Sequence, residues 1–217
     1  MTTPPPAPAT FKKSVVREYF ESIVIAVILA LFVRTWVVQA FKIPTGSMEN
    51  NLLIGDHLLV NKFVFGPTAT SLERTLLPVR GLRRGDVVVF KYPDEPERDF
   101  IKRVIGLPGE TVELRSKKVY INGQPLDEPY VHFLEPASTA QEVTSFDVRE
   151  RYGPVRVPEE QFFVMGDNRD RSYDSRFWGF ANIDDIKGKA TFIYWSRDTS
   201  KGWLTPPRLE RFGHFIE

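Results

Sequence analysis

The sequence predicts a mainly β protein: a folded antiparallel β-sheet behind one N-terminal transmembrane helix. Three observations point there. One long apolar run lies near the N-terminus, unbroken from Ile23 to Val33 and mostly apolar to Ile43. Beyond it, short runs rich in Val, Ile, Leu and Phe alternate with Gly, Pro and Asp turns. The 17 prolines and 14 glycines among 217 residues suit strands joined by turns.

Residues 1–19 read as a disordered proline-rich tail with a basic flank at Lys12, Lys13 and Arg17. Residues 20–42 read as the membrane anchor. A helix over Ile23–Ile43 is about 30 Å long, enough to cross a hydrocarbon core, with Trp36 at an interface. The exit Val38-Gln39-Ala40-Phe41-Lys42 is a poor cleavage site for a removable leader. The basic flank favours a cytoplasmic N-terminus, which puts residues 43–217 outside as one β-rich domain. Strands are expected over His57–Phe65, Val87–Tyr92, Phe100–Ile105, Thr111–Leu114, Gln161–Met165 and Ala190–Trp195. Residues 66–85 read as a loop. Lys118–Ile121, then Asn122-Gly123, then Gln124–Leu126 carries the best hairpin signal. Residues from about 115 to 160 read as an excursion from the main sheet.

Composition narrows the chemistry. A net charge of +1 gives no general affinity for nucleic acid. The absence of cysteine rules out disulfides and a thiolate nucleophile. Neither His57, His132 nor His214 has a His or Cys neighbour at metal-ligand spacing, and the expectation is no metal and no cofactor.

Ile43-Pro44-Thr45-Gly46-Ser47-Met48 follows the apolar run, so Ser47 sits where the chain leaves the bilayer. Taken alone, such a stretch is more often a polar turn ending a helix than a nucleophile's seat. A serine nucleophile needs a base, either histidine or a lysine whose pKa is lowered by burial. Lys102 lies inside the apolar strand Phe100–Ile105, facing one way with Phe100 and Val104, while Ile101, Arg103 and Ile105 face the other. It is open on these residues whether Lys102 is desolvated or snorkels to water. The run Gly166–Arg176 places Asp167, Asp170 and Asp174 among arginines. Its spacing fails the calcium-loop register and suits an ion-paired loop pinned by the apolar Phe177–Phe180.

Five blocks occur in order: the apolar span; Pro44–Met48 followed by Leu52–Asp56; Arg84–Phe90; Ile101–Gly109; and Gly166–Gly179. Together they resemble the bacterial type I signal peptidases, membrane-anchored Ser/Lys proteases with a signal-peptidase-like β fold. The resemblance implies catalytic Ser47 and Lys102, as nucleophile and general base. It implies an oxyanion hole from the Ser47 N–H and the Thr45 hydroxyl, Ser172 hydrogen-bonding the Lys102 amine, and Asp174 with Arg176 as a supporting ion pair. The substrate would be the signal peptide of an exported preprotein, cut after small residues. It would lie as an added strand along Asp99, Phe100 and Ile101, with Phe41, Ile43 and Ile101 lining shallow pockets. The partners implied are preproteins and the lipid bilayer, with the catalytic domain on the extracytoplasmic face of the inner or plasma membrane and a single span. After Met48 the family usually has one residue and then Pro-Thr; here Glu49-Asn50-Asn51 stands instead. Rival readings are a repressor-type self-cleaving Ser/Lys protein, a membrane-tethered peptide-binding β-domain, and a hydrolase using a metal on Asp167, Asp170 and Asp174.

Overall fold

The computed structural model describes residues 14–65, 79–134, 147–198, 202 and 204–216. The predicted tail up to residue 13, most of the 66–85 loop, residues 135–146 and the Trp36 side chain lie outside the described residues. The chain divides into two units, Met1–Val37 and Val38–Glu217.

The first unit is helix α1 (Val15–Phe32), capped by Ser14, whose hydroxyl accepts from the Arg17 N–H. A π turn, Val33–Val37, follows. None of α1's residues is buried. No helix among the described residues is long and apolar enough to cross a membrane by itself; α1 has 18 residues and carries Arg17, Glu18 and Glu21 near its start. The predicted single helix over 20–42 is therefore corrected. Its α-helical part stops at Phe32, the π turn carries it to Val37, and its last five residues form strand β1 (Val38–Lys42), because all five pair antiparallel with β2 (Asp56–Asn61). Sheet pairing overrides the helical reading of an apolar run. The β-rich domain consequently begins at Val38 rather than residue 43.

The second unit holds a curled seven-stranded antiparallel sheet in the order β1–β2–β11–β3–β4–β9–β10. Its members include β3 (Val87–Lys91), β4 (Asp99–Gly106), β9 (Gln161–Met165), β10 (Ala181–Asn182) and β11 (Ile186–Ser196). β3, β4 and β9 match the predicted runs within one residue, β2 ends four residues before its predicted run and β11 begins four residues before its own, and β10 was not expected. One face of the β1–β2–β11–β3 half buries Leu58, Val60, Val87, Val89 and Ile193. Val88, Phe90, Val104, Phe162 and Val164 form a second core on β3, β4 and β9.

A four-stranded sheet, β7–β6–β5–β8, branches off after β4. It comprises β5 (Thr111–Arg115), β6 (Lys118–Ile121), β7 (Gln124–Pro125) and β8 (Arg151–Arg156). The β6–β7 hairpin turns at Asn122 (φ 51°) and Gly123 (φ 79°), two left-handed residues that suit the sheet's twist. The expected excursion is thus an ordered sheet, begun at Thr111 and cored by Val112, Leu114, Val119 and Ile121 against Ile105 and Phe163. β8 has no apolar alternation strong enough to read in sequence. Only Tyr152 and Val155 turn inward, to pack on that core.

Candidate active site

Three segments converge on Ser47. A short 3-10 turn, Gly46–Met48, carries it; strand β4 carries Lys102; and the loop Gly166–Asp174 closes over both. Met48 and Leu52 are fully buried and anchor the turn from below. Asn168 donates its backbone N–H to the Ser47 carbonyl at 3.1 Å, tying loop to turn.

Lys102 Nζ lies 2.6 Å from Ser47 Oγ, and both residues are buried. Strand alternation accounts for this. Lys102 points to the same side as Val104 and Phe100, and its amine stands 5.4 Å from the Phe100 ring centroid. Burial, helped by the Arg176 charge, brings its pKa down to about 8 against the opposing charges of Asp174 and Asp167. An amine with that pKa is partly neutral near pH 7, and a neutral amine 2.6 Å from a hydroxyl can accept its proton.

Asp174 caps the four-residue helix α2 (Ser175–Trp178) and accepts from Arg176 Nε and Nη2, each at 2.8 Å, and from the Gly166 N–H at 3.0 Å. Burial alone would raise its pKa; Arg176 and the Gly166 N–H outweigh burial and hold it below the usual carboxylate range. The expected Asp174–Arg176 pair is thus present and buried.

Ser172 departs from expectation. Its hydroxyl is buried and meets no partner at hydrogen-bond geometry, although it lies near enough to Asp174 to help lower that pKa. The hydrogen bond of Lys102 goes to Ser47 instead. Ser172 packs onto the bare Cα of Gly166: a Cβ there would stand 2.3 Å from Ser172 Oγ and 2.4 Å from the Ser47 carbonyl oxygen.

Thr45 sits at the start of the 3-10 turn, exposed, with its hydroxyl making no capping bond. Ile43 is corrected. It is only 2% exposed and belongs to the core, because its N–H and carbonyl clasp Asp56 and Gly55 and turn the side chain inward. Phe41 and Ile101 are half-buried beside that core. Phe100 stacks on Tyr92 at 4.4 Å, and Asp99 pairs with Lys187 at 2.7 Å.

Several residues of the site escaped the sequence reading. Arg103, on the opposite side of β4 from Lys102, forms a buried two-point ion pair with Asp167 at 2.7 and 2.8 Å. Asp170 pairs with Lys117 at 2.9 Å. With Asp174 on Arg176, the three aspartates of the loop go to three separate cations. Among the described residues no cluster of acidic or histidine side chains could hold a metal. The only signal for Arg103 was its place in the alternation.

The model of signal peptidase, peptidase S26, matches residues 16–195. The chain belongs to the S26 signal peptidase family. It is 38% identical to a signal peptidase I of Pseudomonas aeruginosa over 93% of this chain and 80% of that one. It is also 38% identical to one of Leptolyngbya laminosa, over 94% and 93% of the two chains. A crystal structure of a signal peptidase I from Enterococcus faecalis shares 36% identity, over 51% of this chain and 97% of that one, with a TM-score of 0.40. The S26 match spans the Ser47 turn, β4 and the Gly166–Trp178 loop together.

Proposed function

We propose that this chain is a membrane-anchored type I signal peptidase that cuts signal peptides from exported preproteins, with Ser47 as nucleophile and Lys102 as general base. The observation that carries this is the 2.6 Å contact between Lys102 Nζ and Ser47 Oγ, both residues buried. Neutral Lys102 takes the hydroxyl proton as Ser47 Oγ attacks the scissile carbonyl. It returns that proton to the leaving amine, and water then hydrolyses the acyl-enzyme. The Ser47 N–H and the Thr45 hydroxyl receive the oxyanion; Thr45's freedom from any capping bond supports this role. Asp174 and Arg176 hold the loop that seats the base.

An extended substrate suits the sheet. Residues Asp99–Lys102 pair with β3 on one edge, while β9 takes the other edge only from Arg103 onward. Among the described residues β1 ends the seven-stranded order, with no strand on its outer edge. Strand addition beside Asp99–Ile101 supplies backbone hydrogen bonds, and half-buried Phe41 and Ile101 are the apolar side chains that would meet the small residues before the cut.

The anchor reading rests on α1. Its Ile, Val, Leu and Phe side chains are exposed all round, which water disfavours and lipid does not. The residues from Ser22 to Val33 carry no charge, and the basic flank before them sets the N-terminus in the cytoplasm. Held there, the site meets the substrate where its own apolar helix ends. The deciding experiment is preprotein cleavage in detergent micelles by wild type, Ser47→Ala and Lys102→Ala. Wild type cuts after an Ala-x-Ala site while both folded variants are inactive; cleavage by either variant would overturn the dyad.

A further inference from the structure

The turn that carries Ser47 continues through Asn50 and Asn51, where the family's usual Pro-Thr is absent. Asn50 has φ 80°, a left-handed conformation closed to proline, whose ring fixes φ near −65°. The route out of the nucleophile's turn is therefore not set by a ring and must be held by side chains.

Asn51 does the holding. Its Nδ2 donates to Asp167 Oδ2 at 2.7 Å and to the Tyr130 carbonyl at 3.0 Å. Both partners are acceptors, so the amide's orientation is settled by its neighbours. Asp167 Oδ2 also accepts from Arg103 Nη2, and Oδ1 from Arg103 Nε. Arg103 stands next to Lys102 on β4, with its guanidinium 3.9 Å over the Tyr130 ring. The Asn51 carbonyl accepts from Arg211 Nη2 at 2.8 Å. Asp167 and Asn168 thus grip the nucleophile's turn at two points: the Asn168 N–H at the Ser47 carbonyl, and the Asp167 carboxylate at the Asn51 amide.

We propose that Asn51 is a positioning residue, fixing Ser47 against Lys102 by tying the nucleophile's turn to the Arg103–Asp167 ion pair behind the base. It touches neither substrate nor reacting atoms, and the inference rests on the Ser47–Lys102 reading. Asn51 and Arg103 both line a cavity of about 800 Å³, so water can enter where an Ala leaves a gap. The sharper variant is Asn51→Asp, which keeps the shape, removes the donor and sets a carboxylate against Asp167.

The experiment measures kcat and KM on a preprotein in micelles, each normalised to the folded fraction from tryptophan fluorescence and run well below each variant's Tm. Asn51→Asp lowers kcat at least tenfold with KM within about twofold, the scale of a hydrogen bond to a charged group. Asn51→Ala loses less, and Asn51→Thr, which restores a donor, recovers most of kcat. The inference is overturned if normalised kcat is unchanged in Asn51→Asp and Asn51→Ala. It is overturned equally if Thr does no better than Ala, or if only Tm moves. A variant that does not fold is replaced by Asn51→Thr against Asn51→Ala, whose contrast carries the same decision. If Ser47→Ala still cuts, the dyad reading falls; if Ser47→Ala is inactive and the Asn51 variants are normal, only this inference falls.

Discussion

The buried amine of Lys102 makes a quantitative prediction for activity against pH. With its pKa pushed down to about 8, about one tenth of Lys102 is neutral at pH 7. An unshifted lysine at 10.5 would be neutral in only about one molecule in 3,000. The rate constant kcat/KM for preprotein cleavage is expected to rise about tenfold between pH 6 and 7 and to level off above pH 8–9. The same displacement appears in stability. The folded state binds the Lys102 proton more weakly than the unfolded chain, so the penalty for charging it is fully present below about pH 8. It is relieved as pH rises from about 8 towards 10.5. Lys102→Met removes that penalty. The gap of about 2.5 pH units corresponds to roughly 3 kcal/mol of added stability at pH 7, less whatever the Ser47 contact contributes. The assays are initial rates across pH 6–10 and urea denaturation of both proteins at pH 7 and pH 10. A rate flat from pH 6 to 9, or a Lys102→Met variant no more stable at pH 7 than at pH 10 relative to wild type, refutes the desolvated-base reasoning.

Asp174→Asn removes a negative charge that raises the Lys102 pKa and leaves Arg176 buried without its partner; the acid limb of the rate profile is expected to move to lower pH. Stability should fall by about 3–5 kcal/mol, measurable by denaturant melts. Thr45→Val is expected to lower kcat by about 10²–10³-fold, with Thr45→Ser near wild type in the same cleavage assay. Gly166→Ala drives a Cβ to 2.4 Å from the Ser47 carbonyl oxygen and 2.3 Å from Ser172 Oγ. It should lose activity and about 1–3 kcal/mol of stability, read by cleavage rate and Tm; full activity would contradict the close approach. Ser47→Ala should abolish turnover, a loss of roughly six orders of magnitude by comparison with other serine nucleophiles.

What the sequence determined by itself was local. Period-2 alternation located five of the seven strands of the main sheet, because side chains on a pleated strand must sort between core and solvent. Asn122-Gly123 specified a hairpin, because two consecutive residues at positive φ exclude most others. Lys102 stood out as a charge in an apolar strand, and the order of the five blocks pointed to the family. Tertiary structure decided the rest. The apolar run leaves its helical path after Val37 because β2 offers Val38–Lys42 five backbone partners, which no reading of hydropathy contains. Ile43 went to the core rather than to a pocket, through packing with residues far along the chain such as Ile193, and Ser172 packed onto nearby Gly166 rather than reaching Lys102. The Arg103–Asp167–Asn51 network joins positions 64 and 116 residues apart. Lone charges in a sequence say only that each needs a partner; which partner it finds depends on where the folded sheet brings the strands together.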